Sequence, residues 1–301
     1  MIDEVEDLIR RQTQAWPLLA SGIEGLARAQ TRSVRLDRHE VFLRHLPHRI
    51  ASTTAAVDRA SIARRACFLC AANLPREEEG LPFGRDFMIY CNPYPIVEHH
   101  LTIASRTHRP QRIAGNFAAM LDLAATLPRY FVVYNGPECG ASAPDHLHFQ
   151  AGSRHLFPIE KDTVGQAGIV IPDYGRNVLM FRERDRAALI AKLDRVLELL
   201  SEFAPAAVTA ELEPMVNLAV FHDHDQWVAY LFPRGKHRPE AFHRGELAVS
   251  PASIDLCGIV VIPRPTDFAK ITADDVAKIF REVTLPDERF SRVVERLERG
   301  N

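Results

Sequence analysis

The chemistry of this chain is concentrated in residues 134–152, YNGPECGASAPDHLHFQAG. His146, His148 and Gln150 alternate there. On a strand alternate residues share a face, so two imidazoles and a carboxamide are expected to project together. A neutral imidazole offers a nucleophilic nitrogen near pH 7. Upstream, Gly136, Gly140, Ala141, Ser142 and Ala143 are small enough for backbone N–H groups to approach an anion closely. Asn135 adds an amide donor and Ser142 a hydroxyl. Donors of this kind stabilise oxygens as charge builds in a transition state, so the stretch reads as equipment for attack on phosphorus by a histidine.

A second cluster is Cys67-Phe-Leu-Cys70. A redox CxxC wants a preceding strand and a helix opening at the first cysteine, and RRACFLCAANLPREEEG supports neither. Tetrahedral zinc needs two further nitrogen or sulfur ligands. Of His99, His100, His108 and His146, the choice falls on His108 and His146, which leaves His148 to meet substrate while structural zinc fixes the segment before it. A competing reading makes the HxH pair ligands of a catalytic zinc with an open water site, as in a hydrolase. Cys91, Cys139 and Cys257 read as small buried apolar residues. Five cysteines, an odd number, suit a reducing, cytoplasmic setting.

The elements that must position these residues alternate between short strands and helices. Residues 3–30 read as helical, broken at Pro17. SVRLDR, EVFLRHL, DFMIYC, LTIAS, YFVVYN and HLHFQAG read as strands, with a helix from Asn116 to Leu127. In the second half a helix from Arg186 to Phe203 carries an apolar stripe, and residues 204–209 read as a linker. MVNLAVF and WVAYLFP flank HDHDQ as a hairpin with exposed His222 and His224, LCGIVVIP is one more strand, and Thr272 with Asp275 caps a helix. LTIASRTHRPQ echoes VAYLFPRGKHRPE: a strand, Arg106 or Arg234, then His-Arg-Pro. The echo points to a duplicated α+β unit, with units at 1–165 and 166–301, each an antiparallel sheet with helices on one face. A chain of 301 residues, 47% hydrophobic and 25% charged, suits two such units. A net charge of -2 argues against nucleic acid as a partner, and no apolar run is long enough to span a membrane.

At these residues the chain resembles the histidine-triad superfamily, in its transferase branch. That branch holds galactose-1-phosphate uridylyltransferase, diadenosine tetraphosphate phosphorylase and GDP-hexose phosphorylases. Its members carry HxHxQ, here His146-Leu147-His148-Phe149-Gln150. The run Asn-Gly-Pro-x-x-Gly-Ala-Ser at 135–142 is similar to the diadenosine phosphorylase loop, and HFQAG to the GDP-hexose phosphorylases. The resemblance implies duplicated histidine-triad-like domains, the first catalytic and the second, which lacks HxHxQ, degenerate. It implies His148 as nucleophile and Gln150 as holder of the phosphoryl oxygen. Asn135 and Ser142 become phosphate contacts, joining Gly136 and Gly140 of the small-residue loop as the substrate-binding set, and Cys67, Cys70, His108 and His146 the zinc set. Arg106, Arg234 and Lys236 are expected on outer phosphates. The implied activity is a nucleotidyltransferase or phosphorylase that cleaves an NDP-sugar or dinucleoside polyphosphate through a nucleotidyl-histidine, with phosphate or a sugar phosphate as acceptor, in a homodimer. A non-catalytic nucleotide-binding zinc protein is the alternative from another class. The family has Ser-x-Pro-His where this chain inserts Asp145, a residue able to orient an imidazole.

Overall fold

The computed structural model describes residues 1–166, 168–202 and 213–299. Among the described residues eleven strands form two sheets: β1 (Gln30–Leu36), β2 (His39–His45), β3 (Gly80–Phe83), β4 (Phe87–Cys91), β5 (Leu101–Ser105), β6 (Tyr130–Asn135), β7 (His148–Ser153), β8 (Leu179–Glu183), β9 (Val216–Asp223), β10 (Gln226–Pro233) and β11 (Ile259–Ile262). The larger sheet runs β3-β4-β5-β7-β6-β9-β10-β8 and is antiparallel throughout. The smaller runs β1-β2-β11, with β11 parallel to β2.

The duplication is visible in the order of strands. β5, helix Phe117–Thr126, β6 and β7 form one unit, with spatial order β5-β7-β6. β8, helix Arg186–Glu202, β9 and β10 form a second, with order β8-β10-β9. The units meet where β6 pairs with β9, Val132 opposite Val220, so both share one continuous sheet. In this arrangement β10 corresponds to β7, whereas the sequence echo set it against β5. The echo of His-Arg-Pro is therefore not the structural correspondence; the duplication rests on topology.

Each face of the large sheet has its own core. On one side Leu147, Phe149 and Ala151 of the β7 segment pack with Met120, Leu121 and Leu123 of the first crossover helix and Leu189, Leu193 and Val196 of the second. On the other, Phe131, Val133, Phe221 and Tyr230 pack beneath Val41 and Leu43 of β2 and Ile259 of β11. β6 is buried over its whole length, which explains why YFVVYN is apolar on both faces. The predicted capping box forms: Thr272 Oγ1 accepts from the Asp275 N–H at 3.2 Å and Asp275 Oδ2 from the Thr272 N–H at 2.9 Å.

The N-terminal segment folds as two helices, Ile2–Ala15 and Pro17–Ala27, with extended Trp16 between them and Pro17 at the first position of the second. The hairpin of β9 and β10 is tighter than expected, turning on His224 and Asp225, with His222 half-buried against Trp227. The linker expected at 204–209, together with Phe203, lies outside the described residues. Among the described residues no helix is long and apolar enough to cross a membrane.

Candidate active site

His148 opens β7 and faces the side of the sheet opposite Phe149. Its Nδ1 donates to the carbonyl of His146 at 2.8 Å, which leaves the Nε2 lone pair free. Burial, offset in part by that hydrogen bond, pulls the imidazole down to about 4, so the ring is neutral at pH 7. Gln111, absent from the sequence expectations, sets the backbone here. The β6–β7 ladder ends at Val133 and Gln150. Beyond it the strands splay, and the Gln111 amide fills the gap. It accepts from the His148 N–H at 2.8 Å and donates to the carbonyls of His148 at 3.0 Å and Asn135 at 2.8 Å.

Gln150 sits two residues on, on the same face. Its Oε1 lies 2.8 Å from His100 Nε2. Asn135 is held similarly, its Oδ1 meeting Asn217 Nδ2 at 2.9 Å, the Ser253 N–H at 2.9 Å and Ser253 Oγ at 2.7 Å. With both oxygens occupied, the two amides keep N–H donors for whatever enters the site.

Two cavities meet at Arg49, Ser52, Ser142 and Gln150. The larger, about 610 Å3, is lined by His148, Glu78 and an apolar set including Trp16, Leu18, Phe68 and Tyr94. Six large apolar side chains stand exposed among the described residues, and three of them, Leu18, Phe68 and Tyr94, line this cleft. Such clustering marks a binding surface. The smaller cavity, about 60 Å3, is lined by Asn135, Gly140, Arg49, His237 and Arg238 among others. Gly140 has φ +96, and a Cβ there would sit 2.7 Å from that of Ala252, so the loop tolerates only glycine at this point.

Arg49 donates to the Tyr94 carbonyl at 3.0 Å while its buried Nε has no partner; burial, countered by Asp255, lowers it to about 10, so it stays charged. Arg238 donates to Ser250 Oγ and to the carbonyls of Thr53 and Ala55, which ties the second half to the segment carrying Arg49.

The structure does not bring every expected residue to these cavities. Arg234 is buried and spends its donors on the carbonyls of Val283, Pro251, Lys236 and His237 and on Asn217 Oδ1. It supports Asn135 through Asn217 and has no donor left for phosphate. Lys236 pairs with Glu240 at the surface, and Arg106 is exposed beside the Phe87 carbonyl. Neither lines these two cavities, because the turns after β10 and β5 carry them away from β7. The Gly136 N–H is taken by the Val216 carbonyl at 3.0 Å, so Gly136 joins the loop to β9 instead of meeting an anion.

The expected metal residues converge. Ligand atoms of Cys67, Cys70, His108 and His146 all lie within 4.8 Å of one another. Cys67 Sγ is 3.2 Å from His146 Nδ1, and Cys70 Sγ is 3.3 Å from His108 Nδ1. His146 differs from expectation in one respect. A turn at residues 143–146, closed by the His146 N–H on the Ala143 carbonyl, keeps it off the strand, and its ring turns to the cysteines, away from the face of His148 and Gln150. His146 Nε2 meets the Ser105 carbonyl at 2.7 Å, which assigns its proton and frees Nδ1 to ligate. Asp145, the inserted residue, lies 3.8 Å from His108 Nε2 and accepts from Arg65 at 2.6 Å. Two thiols, two imidazole nitrogens and their outer partners fit a closed structural zinc site.

A family model described as a domain of unknown function (DUF4922) matches residues 8–153, and one described as GDPGP1-like, C-terminal domain, matches residues 170–298. Among curated proteins the sequence matches none. Yeast Ap4A phosphorylase Apa2 is similar in structure, with a TM-score of 0.63 at 16% identity over 90% of this chain and 98% of that one. The Apa2 structure in complex with Ap4A gives a TM-score of 0.63 at 15% identity over 94% and 98%. The duplicated units give this chain the fold of the Apa2 structures, with the histidine pair and the carboxamide in the first unit. Its residues 170–298 are GDPGP1-like in sequence.

Proposed function

We propose that this protein is a nucleotide phosphorylase acting by double displacement, with residues 1–165 as the catalytic unit and 166–301 as its degenerate copy, working in the cytoplasm. The observation that carries the reading is the free Nε2 of His148 beside the Gln150 amide at the junction of an apolar cleft and a cationic chamber. His148 Nε2 attacks the α-phosphorus, a P–N bond forms, and the Pα–O bond to the leaving phosphate breaks. Orthophosphate then attacks the same phosphorus, the P–N bond breaks, and a nucleoside diphosphate leaves. Dividing one displacement into two lowers the barrier of each. Gln150 and Asn135 donate to the phosphoryl oxygens. Arg49 and Arg238 replace Arg106, Arg234 and Lys236 as the cations for the acceptor. Zinc, held by Cys67, Cys70, His108 and His146, supplies cross-linking of three loops and takes no part in the chemistry.

The nucleoside belongs in the apolar cleft, and Glu78 favours guanine there. Gln12 is buried and clamps the backbone on both sides of Glu78, donating to the Glu77 carbonyl at 2.9 Å and accepting from the Glu79 N–H at 3.1 Å. The Glu78 carboxyl finds no partner among the described residues, and burial raises it from 4.5 to about 7. An ionised carboxylate matches the two adjacent N–H donors of guanine, whereas adenine would oppose it with a ring acceptor. GDP-hexose is therefore the preferred donor and a dinucleoside polyphosphate the second.

Intact-mass spectrometry after brief mixing with NDP-sugars and dinucleoside polyphosphates, without phosphate, tests the activity. A gain of one GMP from GDP-hexose is expected, with release of GDP on adding phosphate. An adduct only from diadenosine donors would overturn the base assignment, and no adduct from any donor would overturn the phosphorylase.

Glu78 also makes a pH prediction. Its folded value lies above the unfolded one, so the folded chain holds the proton more tightly between about pH 4.5 and 7, and stability falls as pH rises through that window. Tyr90 and Cys91, which sense its charge, are neutral throughout. Glu78→Gln is expected to raise stability above pH 7 by about 2–3 kcal/mol and leave it unchanged near pH 4. GMP binding, which draws on the ionised form, is expected to tighten from pH 5.5 to 7.5 in wild type and to be weak and flat in Glu78→Gln. Calorimetric titration and urea melts at the two pH extremes check both.

A further inference from the structure

We propose that His100 is a positioning residue for phosphoryl transfer: it holds the Gln150 amide with its oxygen turned back and its N–H2 presented to the phosphoryl group. A primary amide has donor and acceptor ends of nearly equal shape. Left free, Gln150 would present its oxygen to an anionic phosphoryl group as readily as its nitrogen, and the site would repel what it should stabilise.

The geometry at His100 removes that choice. The residue is 4% exposed. Its Nδ1 accepts the Ile96 N–H at 3.2 Å, so that nitrogen carries no proton. The proton of the neutral ring is then on Nε2, which lies 2.8 Å from Gln150 Oε1 and donates to it. The chain of hydrogen bonds has one direction only, from the Ile96 backbone through the imidazole to the amide oxygen. It ends at an N–H2 group that has no protein partner among the described residues, on a side chain that lines both cavities. Thr102, opposite Gln150 in the β5–β7 register, accepts from Asn92 Nδ2 at 3.1 Å and makes no side-chain hydrogen bond to Gln150. Among the histidines considered as zinc ligands, His100 thus serves the neighbouring site.

This inference rests on the phosphoryl-transfer reading, and the experiment separates the two. Rates of nucleotidyl-enzyme formation are measured with GDP-hexose for wild type, His100→Ala, His100→Gln, Gln150→Ala and the His100→Ala/Gln150→Ala double variant. Loss of an outer hydrogen bond of this kind costs roughly ten- to a hundredfold. His100→Ala is expected to lose that much in rate, with substrate affinity changed less than about threefold. His100→Gln, which keeps an N–H donor near the Nε2 position, is expected to recover most of it. The double variant should match Gln150→Ala within about twofold, because His100 acts through Gln150. Multiplicative losses in the double variant would overturn the assignment. If wild type forms no adduct, the phosphorylase reading fails, and the side-chain 15N–1H signals of Gln150 decide the matter alone. Two sharp inequivalent protons in wild type that broaden in His100→Ala sustain the positioning role, and an unchanged pair overturns it.

Discussion

His148→Ala is expected to abolish the nucleotidyl-enzyme adduct and to lower phosphorolysis by at least about 10⁴-fold, the scale on which enzymes lose rate when the nucleophile of a covalent mechanism is removed. The expectation follows from geometry. His148 Nδ1 is committed to the His146 carbonyl and Gln111 holds the backbone from both sides, so the ring has a single orientation with Nε2 toward the cleft. An alanine leaves that scaffold intact, since the backbone bonds to Gln111 involve no part of the imidazole. Substrate affinity is therefore expected to stay within about threefold, and the thermal midpoint within a few degrees, which distinguishes a lost nucleophile from a lost fold. Intact mass, steady-state rates and nucleotide titration check the three parts. An adduct of undiminished mass and rate in His148→Ala would remove the nucleophile from this residue and with it the double displacement.

Removal of zinc is expected to have the second largest effect. The four ligands come from segments distant in sequence: Cys67 and Cys70, His108, and His146. A zinc ion held by the four would cross-link them, and structural zinc contributes about 10–16 kcal/mol of apparent binding free energy in small domains. Stripping the metal with a strong chelator, or replacing Cys67 with serine, is expected to lower the thermal midpoint by at least about 10 °C. Activity should fall at least tenfold, because the His146 carbonyl, two residues from His148, accepts from His148 Nδ1 and sets its ring. Metal analysis should find one zinc per chain. Readdition of zinc, or of cobalt as a tetrahedral substitute, should restore stability and activity together to within about threefold of the starting level. A catalytic zinc behaves differently: changing the metal alters turnover while the fold survives. Full activity in the chelated protein would remove the structural role as well.

The site was legible in sequence where its residues act through type and close spacing. His148 and Gln150, two apart, need only a strand to share a face, and β7 supplies it. The CxxC pair and two histidines carry ligand chemistry in their identity, and the structure brings all four together. Short-range periodicity also placed helices at 116–127 and 186–203, observed at 117–126 and 186–202, and the break at Pro17, because each needs nothing beyond its own neighbours.

What the chain order could not reveal depends on contacts between distant segments. Arg234 reads as an anion-binding arginine after a strand, yet folding buries it against five oxygen acceptors, while Arg49 and Arg238 take the place in the cavity. No local pattern separates these three arginines, since the difference lies in which carbonyls the fold brings near. Gln111 becomes important only because β6 and β7 splay at one end, and Glu78 only because Gln12 of the first helix clamps its loop. The correspondence of β10 with β7 is a matter of strand order, decided when β6 and β9 pair across the two halves. Residue type and spacing thus determine which atoms can ligate, donate or attack. Which of them meet, and which are spent on the backbone, is decided by burial, because a polar group removed from water takes whatever partner the fold places within reach.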